Sequence, residues 1–99
     1  MTNIAEQRHV EVNLAVIRSY LKDNFYGYEI TEDTSHLPWC HKFTLTNHTF
    51  HKSYKLEVSG PQLFDAENTP EKTRTALSEG KVAEEMRYAN GDYFKWERI

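Results

Sequence analysis

The chain holds a single cysteine, Cys40, and no run of apolar residues longer than a few positions. One thiol forbids an internal disulfide and cannot by itself build a cysteine-rich zinc module. A bilayer crossing needs about 18 to 20 consecutive apolar residues, and a secretory leader needs an apolar centre. The stretch Met1 to Val10 instead carries Glu6, Arg8 and His9. A soluble, cytoplasmic protein with no membrane contact is therefore expected. The four glycines are scattered, so no glycine-rich loop is available to cradle a phosphate. Acid is missing from Thr34 to Leu56, where Lys42, Lys52, Lys55 and four of the five histidines lie.

What the chain does contain suits a folded domain. It has 99 residues, 38% of them hydrophobic and 27% charged, with thirteen Trp, Tyr and Phe side chains and a net charge of −3. This is not the composition of a disordered tail, and one core normally organises about 100 to 150 residues. A single domain over residues 1–99 follows as the expectation.

Periodicity supplies the elements. Val10, Leu14, Ile17 and Leu21 recur at helical spacing, predicting a helix from about Ile4 to Asp23 with Asn3 as its cap. Tyr26, Tyr28 and Ile30 alternate with polar or glycine neighbours, the period of a strand ending near Glu32, and a loop runs from Asp33 to Pro38. Phe43 and Leu45, then Tyr54, Leu56 and Val58, predict a hairpin with one dry and one wet face. Ser59, Pro61 and Gln62 signal a short helical turn, and Thr69, Pro70 and Glu71 repeat the signal. Leu77 and Met86, nine positions apart, would point to opposite sides of an unbroken helix, so a break near Gly80 is expected. Asn90 and Gly91 end the second piece, and the stretch Asp92 to Arg98 reads as a final strand. The expected fold class is α+β: a two-layer sandwich of order α-β-β-β-α(short)-α-β, with a mainly antiparallel sheet and helices on one face. Phe43, Leu45, Leu56, Ile17 and Leu21 are its expected core.

Three classes of function compete for this pattern. Trp39, Phe50, Tyr93 and Trp96, with Tyr88 beside them, are more aromatic surface than so small a core readily covers. They point to a protein-interaction or accessory module, with a protein partner or a homodimer seam; a final strand at the sheet edge offers a second route to pairing. The alternative is a nucleic-acid binder using the acid-free hairpin 41–55, with Lys42, Lys52 and Lys55 on phosphates and Phe50 or Tyr54 under bases. Helix, three strands, helix resembles the double-stranded RNA-binding domain in order alone. Thr69, Pro70, Glu71 and Lys72 stand where that family has a basic run, and the strand after Gly91 is extra. The third class is a small metal-binding or hydrolytic protein around Cys40, His41, His48 and His51. Neighbours Cys40 and His41 diverge on a strand, and neither Cys-x-x-Cys nor His-Glu-x-x-His is present. Glu84 and Glu85 likewise diverge on a helix. No catalytic residue, cofactor or native metal is assigned.

Overall fold

A computed structural model describes residues 4–37 and 39–97, with side chains from residue 8 onward. Helix α1 (Ile4–Asn24) leads into three strands, β1 (Glu29–Asp33), β2 (Cys40–Asn47) and β3 (Lys52–Ser59). Helices α2 (Gly60–Phe64), α3 (Pro70–Glu79) and α4 (Val82–Ala89) follow, then β4 (Tyr93–Trp96). The fold is α+β with the expected element order. The Asn3 cap, Pro38 and the reach of the last strand to Arg98 lie outside the described residues.

The sheet runs in the order β1-β2-β3-β4. The β1–β2 and β2–β3 pairings are antiparallel, while β4 lies parallel to β3. Between β3 and β4 the chain crosses the sheet through three helices, the kind of long connection that parallel neighbours require. Strand alternation sets the two faces. Phe43 and Leu45 on β2 meet Leu56 and Tyr54 across the register and are buried, with Val58 beyond them. Lys42, Thr44, Lys55 and Glu57 take the other face, which stays half-exposed and which no helix covers among the described residues. From α1, Val10, Leu14, Ile17 and Leu21 close over the dry face as one stripe. All five expected core residues are fully buried. Each such side chain contributes about 1.5 to 3 kcal/mol.

Two local expectations need correction. Tyr26 is not in the first strand: Gly27, at a φ of +83°, turns the chain there, and β1 begins only at Glu29. Ser59 makes no side-chain capping bond, and Gln62 is buried. Thr69 does cap, its hydroxyl oxygen accepting from the Lys72 N–H at 3.3 Å. The break expected near Gly80 occurs; Gly80 itself is right-handed, and Lys81 takes the φ of +50°. Glycine is needed at 80 for a close approach, since a Cβ there would lie 2.9 Å from the Ala76 carbonyl oxygen. The break lets Leu77 and Met86 both face the core.

Two polar clusters lock the layers together. Asn13, buried on α1, accepts from the Thr73 hydroxyl at 2.9 Å and donates to the Asn68 carbonyl at 3.0 Å. Asn68 in turn donates to the Gln62 carbonyl at 2.7 Å, so α1, α2 and α3 share one network. The second cluster ties edge strand β1 to α1. Arg18 grips Glu32 with two hydrogen bonds, Nε to Oε2 at 2.6 Å and Nη2 to Oε1 at 2.9 Å. His41, fully buried, donates from Nε2 to the same carboxylate at 2.8 Å, since a carboxylate can only accept. Its Nδ1 has no hydrogen-bond partner among the described residues.

Burial pushes the Glu32 carboxyl up, but the bonds from Arg18 and His41 and their charges win, holding it below its ordinary value of 4.5. Its stabilising contribution is therefore present near neutral pH and is lost as the pH falls through and below that value. Glu32→Gln is expected to lower stability at pH 7 and to flatten the loss between about pH 5 and pH 3. Urea unfolding across that range checks this; parallel curves for the two proteins refute it.

Candidate functional site

One end of the sheet collects aromatic side chains from separate elements. Tyr26 stands just before Glu29, which pairs with Thr46 near the end of β2. Phe50 lies in the β2–β3 turn at that same end. Tyr88 is in the last turn of α4, whose cap residue Asn90 shares a small pocket with His51 and Lys52. Tyr26, Phe50 and Tyr88 are 94%, 71% and 91% exposed.

Beneath them lies a covered aromatic base. Phe25 packs on Tyr28 and Tyr54 with ring centroids 5.5 and 5.4 Å away, and Tyr28 and Tyr54 are 5.9 Å apart. Burial, together with the neighbouring Tyr54, raises the Tyr28 hydroxyl above its ordinary value. The Arg87 guanidinium covers Phe25 at 4.5 Å and donates to the Asn24 carbonyl, joining the ends of α4 and α1.

The turn carrying Phe50 is shaped by side chains. Asn47 Oδ1 accepts the N–H groups of Thr49 and Phe50 at 3.0 and 3.1 Å, the short-range bonding at which asparagine is good. His48 bonds Glu29 at 2.7 Å, bracing the turn against β1. His51 closes it at a φ of +53°, a left-handed conformation unusual for histidine. No glycine stands between Asn47 and Lys52 to mark it.

The residues singled out from sequence do not form one surface. Phe50 belongs to the aromatic end. Trp39 is 77% exposed but sits at the opposite end, where its carbonyl accepts from the Gly60 N–H at 2.7 Å. Tyr93 lies on the uncovered sheet face, opposite Lys55 in the register. Trp96 is corrected outright: at 7% exposure it belongs to the core, because β4 alternation turns Phe94 and Trp96 toward the helices. Tyr26 was missed as a surface residue because its alternation with Tyr28 imitates a strand. Gly27 was the available signal for a turn.

The lysines separate as well. Lys42 and Lys55 hold their ammonium groups 5.0 and 5.2 Å from the Tyr93 ring centre, and Lys42 also lies 3.9 Å from its register partner Glu57. Lys52 shares parity with the buried Tyr54 and points to the other side of the sheet. Tyr54 itself is buried, so it offers no ring to a base.

Cys40 and the histidines also part company. His41 points into the core, His48 and His51 belong to the turn at the far end of β2, and partly buried Cys40 faces away from His41. Among the described residues, no three His, Cys, Asp or Glu side chains are grouped so as to hold a metal. At the end of β1, Asp33 has its carboxyl lowered by bonds from the Ser35 hydroxyl and N–H, with His36 at 3.4 Å. No helix among the described residues is long and apolar enough to cross a membrane.

Asn47→Ala removes both bonds that shape the turn and is expected to cost about 1 to 2 kcal/mol. Amide exchange at Thr49 and Phe50 should accelerate selectively; unchanged exchange there would show that the turn holds without Asn47. No protein-family model, curated protein or solved structure matches the chain.

Proposed function

We propose that the chain is a non-enzymatic protein-interaction module that presents its aromatic end to a protein partner. The carrying observation is the exposure of Tyr26, Phe50 and Tyr88 at one end of the fold, over a core that is closed without them. Tyrosine is enriched in interface hot spots because it buries a large rigid body and still offers a hydroxyl. The turn bonds of Asn47, the His48–Glu29 pair and the Arg87 clasp support the reading further. They hold the presenting elements before binding and so reduce the ordering cost of association. The fitting partner offers an apolar groove rimmed by acceptors for the two phenol hydroxyls. A reducing cytoplasm suits the single thiol of Cys40.

The acid-free hairpin supports nucleic-acid binding less well. Lys42 is matched by Glu57, both it and Lys55 are engaged by Tyr93, and Lys52 faces elsewhere.

Photo-crosslinking in cells, with benzoylphenylalanine in place of Phe50, tests the proposal. The expected result is one discrete protein adduct that disappears when Tyr26 and Tyr88 are both replaced by serine and persists in Trp39→Ser. Against the purified partner, Tyr88→Ser should weaken binding about thirtyfold, as truncated hot-spot residues do. Sedimentation identifies the case in which the partner is a second copy. A chain that stays uncrosslinked and monomeric, or an adduct indifferent to Tyr26 and Tyr88, overturns the reading.

A further inference from the structure

A cleft of about 450 Å³ lies between α1, α3 and α4, away from the uncovered sheet face. Three cations line it: Arg74 from α3, Lys81 from the joint, and Arg87 from α4. None of the three forms an ion pair among the described residues. Asp23 and Glu84 line the same cleft, equally unpaired. The lining thus carries one net positive charge, and none of its charged groups is ion-paired among the described residues.

We infer that this cleft binds a small molecule through a single phosphoryl group, held by Arg74 and Lys81 with Arg87 beside them. A planar guanidinium grips two phosphate oxygens at once, and an ammonium adds a point charge. Ser19 and Ser78 contribute hydroxyls to the lining. The Tyr20 oxygen accepts the Ala83 N–H at 2.9 Å, which leaves its own O–H to donate. That same bond occupies one N–H in the first turn of α4, so recognition rests on side chains rather than on the helix end. Val16 and Ala83 supply a short apolar wall for the rest of the ligand.

Charge selects the occupant. A phosphoryl group carries a charge of about −1.5 to −2 near pH 7, within reach of the three cations, whereas a polyphosphate or a nucleic-acid backbone would bring further negative charge against Asp23 and Glu84. Arg87 is already fixed by its bond to Asn24 and its place over Phe25, so it loses little freedom on binding. Lys81, which lines the cleft, holds a left-handed backbone that non-glycine residues seldom adopt.

The test is a titration of the full chain with inorganic phosphate, followed by nuclear magnetic resonance at constant ionic strength with chloride as the balancing anion. Saturable shifts are expected at the Tyr20, Ser78, Lys81 and Ala83 amides and the Arg74 guanidinium. Arg74→Gln and Lys81→Gln should each weaken binding about tenfold, the loss of one charged hydrogen bond. Both residues are exposed, and thermal melts verify that the variants stay folded. A Lys52→Gln, Lys55→Gln double variant should bind like the parent. Shifts that grow linearly, spread over every surface lysine, or survive both cleft substitutions overturn the inference. Pyrophosphate binding far more tightly than phosphate overturns the single-group assignment.

Discussion

The β2–β3 register is the constraint on which the remaining structure rests. Phe43 faces Leu56 and Leu45 faces Tyr54, so four apolar side chains reach one side of the sheet together. A slip of one residue would turn that set to water and bring Lys42, Thr44, Lys55 and Glu57 under the helices. Every other element is placed by what this dry face needs. The α1 stripe covers it, Leu63 and Leu77 extend the cover, and Val82 with Met86 closes it above β3 and β4. The break between α3 and α4 is part of this requirement, because a straight helix could not deliver both Leu77 and Met86 to the core.

Polar groups then fix positions that apolar packing leaves loose. Among the described residues, strand β1 has a backbone partner on one side only, and it contributes little buried apolar area. The Arg18–Glu32–His41 cluster binds it from the helix side through charge-assisted bonds. Asn13 does the corresponding work between α1 and α3, where a generic apolar contact would permit sliding. Removing Asn13 would take away the bond that the buried Thr73 hydroxyl makes to it, which makes this position more sensitive than its small size suggests.

The completed core leaves two surfaces with different chemistry. The aromatic end is held by the Asn47 turn and the Arg87 clasp; the cleft between the helices is polar and carries unpaired cations. Arg87 belongs to both, since it covers Phe25 and lines the cleft. A ligand drawing on its guanidinium would therefore act on the same clasp that joins the ends of α1 and α4.

Much of the fold was legible in the order of residues. Helical spacing marked α1, alternation marked β2 and β3, and the angle between Leu77 and Met86 marked the break. These are local signals, because the periods of helices and strands are fixed by backbone geometry. Local pattern misled where two geometries share it: Tyr26 and Tyr28 alternate like a strand, yet Gly27 bends the chain between them. Trp96 showed the other limit, since an aromatic residue at a chain's end reads alike whether buried or exposed. The sequence by itself determined the elements, the dry face of the hairpin and most of the core. Only the tertiary structure decided that β4 runs parallel to β3, that Trp96 is covered, and that Tyr26, Phe50 and Tyr88 share one end. Those outcomes depend on contacts between residues tens of positions apart, and no local period records them.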